Sequence, residues 1–196
     1  MSTVITTETR PGQRLLTAAD LAALPSRLPT GDVNYELRYG ELIIMSPPSD
    51  PHGETICNIS YAIGVHVKNN QLGRMTTGAG LILSRDPDDV TAPDMALYLN
   101  HTLPMQRSSE GYSLTIPDVV AEVRSKNDWQ PEIDDKVERY FRAGVKLVLI
   151  VDALRRAVQI HRPEQPAVLL GATDTIDISD LIPGLHVQVS DLLPQV

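Results

Sequence analysis

Cysteine is nearly absent from this chain: Cys57 is the single one in 196 residues. One thiol excludes an intramolecular disulfide and a cysteine-based zinc site, and it suits a reducing cytoplasm. Set among apolar residues at helical spacing, Cys57 is expected to be a core thiol. Aromatic residues are scarce as well, with one Trp, one Phe and six Tyr. Trp129 alone gives no row of rings for stacking the bases of a single strand, and it is expected to pack against the start of the following helix. No apolar run approaches the ~20 residues that span a bilayer, and Met1 to Arg14 lacks the apolar stretch of a signal peptide. Positive charge is the minority, with 17 Lys and Arg against 25 Asp and Glu and a net charge of -8. That balance argues against the broad basic surface that dominates nucleic-acid affinity. It leaves a local phosphate site open, because 13 of the 17 basic residues are Arg, the better phosphate ligand.

What is present is an ordinary globular composition, 42% apolar with mixed charge, in a length that builds one sizeable core. Residues 1–14 are polar and aperiodic and read as a flexible tail, with a single domain over 15–196. Thr17 to Pro25 reads as a short helix, with Thr17 as cap, Asp20 completing a capping box and Pro25 ending it. Tyr35 to Met45 forms a hairpin around Tyr39-Gly40. From His52 to about Asn70, Ile56, Ile59, Ile63 and Val67 recur at helical spacing. Strands are expected near Met75 to Leu83, Met95 to Leu99 and Val119 to Arg124. A second helix runs from Pro131 to Ala143, with Ile133, Val137, Tyr140 and Phe141 as its buried stripe and Gly144 at its exit. Val145 to Val151 is a central strand, Ala157 to His161 its hairpin partner, and Pro166 to Val196 a set of short strands and turns. The fold class is α/β (α+β): a mixed central sheet with flanking helices and terminal β-hairpins.

Two acids interrupt otherwise apolar strands, Asp94 in Ala92-Pro93-Asp94-Met95 and Glu122 in Val119 to Val123. A carboxylate buried without a partner costs several kcal/mol, and a divalent cation is the partner that best suits two of them. Asp118 shares the face of Glu122 but lies roughly 13 Å along the strand, too far to share one ion. Asp94, on a neighbouring strand about 4.8 Å away, can share it. Strand parity puts Arg124 and Lys126 on the face of Glu122. Lys136 flanks the buried stripe of its helix and can reach over the sheet toward the acids. Glu36 in the hairpin is a candidate third acid, and His52 a candidate phosphate or metal contact. The competing reading of Asp94 and Glu122 is a satisfied ion pair with Arg124 or Lys136.

The ordered series Tyr35 to Ser49, His52, Ala92 to Met95, Pro117 to Ser125, Lys136 to Tyr140, Ala143 to Val148 and Val151-Asp152 resembles the Uma-type putative restriction endonuclease family. Asp94 followed by Glu122-Val123-Arg124 looks like the PD-(D/E)XK nuclease signature, with Arg124 at its lysine position. The resemblance implies a restriction-endonuclease-like fold and a Mg²⁺-dependent endonuclease acting on DNA or RNA, with Mn²⁺ as substitute. It implies Asp94 and Glu122 as metal ligands and a backbone carbonyl near Val123 as a further one. The water-orienting role passes from Arg124 to Lys136, with Lys126 as competitor. A homodimer is expected for double-strand cutting, and no membrane partner. Two other classes stay open: a catalytically inactive interaction or DNA-binding module on the same fold, and a hydrolase of a smaller phosphoester.

Overall fold

The computed structural model of the chain describes residues 5–6, 14–29, 31–45, 47–126 and 128–195. The first elements are β1 (Ile5–Thr6), α1 (Ala18–Ala22), β2 (Arg27–Leu28), β3 (Gly31–Asp32) and the hairpin of β4 (Asn34–Arg38) and β5 (Glu41–Met45). Helix α2 (Asp50–Asn69) leads to β6 (Gly73–Thr76), β7 (Leu81–Ser84), β8 (Asp89–Thr91) and β9 (Met95–Leu99). Then come β10 (Val119–Val123), α3 (Gln130–Ala143), β11 (Leu147–Asp152), β12 (Ala157–His161) and β13 (Val168–Gly171). Two short strands, β14 (Thr175–Asp177) and β15 (His186–Gln188), and α4 (Val189–Leu192) follow.

A six-stranded mixed sheet, ordered β13-β12-β11-β10-β9-β6, forms the centre. Only its β10–β11 pair is parallel among the described pairs, and α3 makes the crossover between them. Both strands are apolar on both faces, as a strand covered on each side must be. The two-residue strand period sorts their side chains. Val119, Ala121, Val123, Leu147 and Leu149 pack with Ile59, Ile63 and Val67 of α2. Val120, Val148 and Ile150 pack with Ile133, Val137 and Tyr140 of α3. Glu122 shares the face of Val120, so it points to α3. A second, five-stranded sheet, β1-β5-β4-β8-β7, holds a smaller core with α1 around Leu37, Ile82 and Val90.

Local chemistry places the helices as expected. Thr17 and Asp20 form the capping box of α1. Pro131 lies in the first turn of α3, and Gly144 closes it at φ 108°, a left-handed conformation that strains a residue with a Cβ. Asp118 stands at the entry of β10, where it accepts from the Leu99 amide, Thr102 and Lys146 and pairs with His101.

Several expectations are corrected. Met75 to Leu83 is not one strand: β6 joins the central sheet and β7 the second one. Gly78, at φ 58° between them, turns the chain from one sheet to the other. Strand β8, three residues long and carrying an acid, was too short to show a period. Cys57 is exposed; it lies two residues from both Thr55 and Ile59, the buried face of α2, and therefore on the opposite side. Trp129, expected to pack against the start of α3, is 68% exposed. Within the expected flexible tail, Ile5–Thr6 pairs with Ile43–Ile44 of β5 and Arg14 bonds Asp20. The rest of that tail lies outside the described residues.

Candidate active site

The antiparallel register of β9 and β10 runs Val119 to Leu97, Val120 to Ala96 and Ala121 to Met95. Carried one residue further, it sets Asp94 opposite Glu122 on the face toward α3. Asp94 is fixed twice: its Oδ2 accepts the Val123 N–H at 2.7 Å, and its Oδ1 lies 3.2 Å from His52 Nε2. Glu122 is met from above by two residues one helical turn apart. The Tyr140 hydroxyl donates to its Oε1, and Lys136 Nζ lies 3.0 Å from the same oxygen. Lys136 is also 3.6 Å from Glu36 Oε1. Glu36, 3% exposed on β4, accepts from Thr91 Oγ1 at 2.7 Å and from the Ala92 amide at 3.0 Å. The second sheet thus supplies the third carboxylate.

Three acids share one ammonium. Burial pushes the Glu122 carboxyl up to about 7; Lys136 opposes this, Asp94 and Glu36 add to it, and the Tyr140 hydrogen bond pulls the other way. Lys136 is desolvated, yet Glu122, Glu36 and Asp94 together hold its pKa above the ordinary lysine value. Burial acts against ionised Glu36 too, but Lys136, the Ala92 amide and Thr91 outweigh it and its pKa is lowered. His52 loses hydration, but its bond to Asp94 raises its pKa. Tyr140 is raised well above its ordinary value by burial and by Glu122 and Glu36, so it stays a neutral donor.

These groups open into a cleft of about 470 Å³. Glu36, Asp94, Glu122 and Lys136 give its charged lining, and Tyr35, Ile43, Met45, Pro48 and Ile56 an apolar one. Among the described residues no group of three or more His, Cys, Asp or Glu is gathered closely enough to hold a metal ion. Two carboxylates remain, and they fit a hard cation that keeps most of its own waters. Mg²⁺ binds in that way, through one or two carboxylates completed by water and substrate phosphate. The contacts above occupy one oxygen each of Glu36 and Glu122.

Of the residues singled out from sequence, Glu36, His52, Asp94, Glu122, Val123 and Lys136 all line this cleft. Val123 contributes its amide to Asp94. Arg124 does not stand with them as a free cation. Its guanidinium bonds Gln130 Oε1 and the Asp128 carbonyl and lies 3.7 Å from Asp152. Lys126 is exposed and outside the cleft lining, because β10 ends at Val123 and strand parity ends with it. Sequence reasoning missed Tyr140 as a polar group and Thr91 altogether. The signal for Tyr140 was its four-residue spacing from Lys136. Arg139 was missed too: it lines the cleft while its guanidinium forms a buried two-pronged pair with Asp89.

A restriction-endonuclease-like arrangement is what the mixed sheet, the crossover helix and the paired acids define. The chain matches the family described as Uma2, putative restriction endonuclease, over residues 19–190, and it belongs to that family. In fold it is similar to a putative nuclease of the DUF820 group from Anabaena variabilis, with a TM-score of 0.73 at 19% identity, covering 90% of this chain and 97% of that one. No curated protein matches it. Among the described residues no helix is long and apolar enough to cross a membrane.

Proposed function

We infer that the chain is a Mg²⁺-dependent endonuclease that hydrolyses phosphodiester bonds of DNA. The observation that carries this reading is Glu122, a carboxylate recessed in a cleft, opposite Asp94 and 3.0 Å from the Lys136 ammonium. Family membership supports a nucleic-acid substrate. Asp94 and Glu122 would hold the cation, with Mn²⁺ as substitute and the Val123 carbonyl as a further ligand. Bound there, a divalent ion supplies polarisation of the scissile phosphate and a lowered pKa for water.

The remaining work falls to the chain's own residues. The Val123 amide and His52 fix the orientation of Asp94, and Tyr140 fixes that of Glu122. Lys136, held as an ammonium by three carboxylates, orients the attacking water and offsets negative charge that grows on the phosphate oxygens. Glu36 anchors Lys136 from the second sheet and keeps it over the acids.

Calorimetric titration of the metal-stripped protein with Mn²⁺ tests the reading, since metal binding requires no knowledge of the substrate. Saturable binding, lost in Asp94→Ala and Glu122→Ala, is expected, together with Mg²⁺-dependent nicking of supercoiled plasmid. A second reading, an interaction module that keeps the fold without catalysis, is favoured by the engagement of Arg124 at the signature lysine position. It requires a folded wild-type protein that binds no Mn²⁺.

A further inference from the structure

We propose that Arg38 holds a phosphodiester that flanks the scissile one, so that the substrate is a polynucleotide and not a smaller phosphoester. This rests on the nuclease reading of the same site and names its substrate class. The basic side chains that line the cleft are Arg38, His52, Lys136 and Arg139. The last three are engaged, His52 with Asp94, Lys136 with Glu122 and Arg139 with Asp89. Arg38 differs: its Nε is shielded from solvent and has no hydrogen-bond partner. Among the described residues its one ion pair is with Asp135, 3.5 Å from Nε to Oδ2, and that oxygen lacks a hydrogen-bond partner as well. A guanidinium carries five donors, and a buried donor left unpaired is rare in a native protein. A phosphodiester offers what is missing here, a negative charge and two oxygens that match the guanidinium fork.

The fold sets Arg38 beside the reacting centre and not within it. Glu36 and Arg38 stand two residues apart on β4, so they share a face at a spacing of about 6.6 Å along the strand. Glu36 meets Lys136 on α3, and Arg38 meets the residue before it, Asp135. Two links of opposite polarity thus join the second sheet to α3. The first holds an ammonium over Glu122. The second holds a guanidinium one strand step further along the cleft, paired with none of Glu36, Asp94 or Glu122. A phosphate at Arg38 is therefore the neighbour of the one at Lys136 and the acid pair. A ligand that fills both positions carries consecutive phosphates, and an ester with a single phosphate fills only the first. Asp135, with its side chain 40% exposed, serves as the counter-charge that a phosphate displaces toward water.

The salt dependence of DNA binding tests this. The wild-type protein and its variants, with Ca²⁺ in place of Mg²⁺, are titrated with a fluorescein-labelled DNA duplex between about 50 and 200 mM salt, reading anisotropy. Losing one phosphate contact in Arg38→Ala should flatten the log–log salt slope by about one. Over that range the wild type should then lose roughly 3.5-fold more affinity than Arg38→Ala does. Arg38→Lys keeps the charge without the fork, so it should keep the slope and bind more weakly. Arg124→Ala, whose guanidinium is engaged by Gln130 and the Asp128 carbonyl, should keep the wild-type slope. Asp135→Asn leaves Arg38 in place and removes its counter-charge, so affinity should rise a few-fold at low salt. Unfolding curves establish that each variant folds. An unchanged slope in Arg38→Ala, an equal flattening in Arg124→Ala, no gain in Asp135→Asn, or no DNA binding by the wild type overturns the proposal. The Mn²⁺ titration of the wild type is independent of these readings. Mn²⁺ binding with an unchanged slope in Arg38→Ala removes this inference alone. A flattened slope without Mn²⁺ binding removes the catalytic reading and keeps Arg38 as a phosphate contact.

Discussion

The amide of Val123 donates a 2.7 Å hydrogen bond to Asp94, so the strand that carries Glu122 also aims the carboxylate opposite it. Asp94→Ala removes that acceptor and leaves the N–H of a buried residue unpaired, at a cost of about 1–3 kcal/mol. Asp94→Asn keeps an acceptor oxygen and is expected to cost less. Both lose the ligand charge, so both should lose Mn²⁺ binding. Urea unfolding separates the variants, and calorimetry groups them. A stable Asp94→Asn protein that binds Mn²⁺ like the wild type would remove Asp94 from the metal site.

Glu122 makes stability depend on pH in the direction opposite to an ordinary paired carboxylate. Its folded pKa of about 7 lies above the reference 4.5, so the folded state holds this proton more tightly than the unfolded one. Its contribution is fully present below pH 4.5 and is lost as pH rises toward 7, by roughly 3 kcal/mol. Glu122→Gln should flatten that decline in unfolding experiments run between pH 4.5 and 7.5. Metal and proton compete for the same oxygens, so Mn²⁺ affinity should rise over the same interval and level off above it.

Much of this architecture is legible from residue order alone, because local signals and burial agree there. The capping box at Thr17, the Ile59, Ile63 and Val67 stripe of α2, and Gly144 each fix an element before tertiary contacts act. The Asp94 and Glu122 pairing was legible for a similar reason: acids in apolar strands stand out, and strand spacing limits which can meet. What failed was set by contacts distant in sequence. No period in Met75 to Leu83 shows that its two halves join different sheets. Strand parity carried Lys126 past the true end of β10. Tyr140 read as apolar stripe because a tyrosine serves a core and a hydrogen bond equally well, and only the position of Glu122 beneath it decides between them.

Arg139 and Asp89 form a two-pronged pair at the edge of the site, 1% and 2% exposed. Such a pair contributes little net stability over an apolar replacement, but removing one partner strands a buried charge. Arg139→Met is expected to destabilise by about 3–5 kcal/mol. Adding Asp89→Asn should recover a large part of the loss by removing the stranded charge. Denaturant midpoints of the two single variants and the double variant measure the coupling. Additive losses would mean that the two side chains act separately.

Lys136 and Arg124 can be separated by what each does to Glu122. Lys136 is the strongest influence holding the Glu122 pKa down, so Lys136→Met should carry that carboxyl above 7 and move the pH midpoint of Mn²⁺ binding upward. Tyr140→Phe removes a smaller influence of the same sign and should move the midpoint less. Arg124 exerts no comparable hold: its partners are Gln130, the Asp128 carbonyl and Asp152. Arg124→Ala should therefore leave the midpoint in place and cost about 1–3 kcal/mol of stability through the hydrogen bonds it breaks. In cleavage assays, loss of a water-orienting group costs on the order of 10²–10⁴ in rate, and that loss is expected in Lys136→Met. An equal loss in a folded Arg124→Ala protein, with Lys136→Met near wild type, would return the water-orienting role to the strand position.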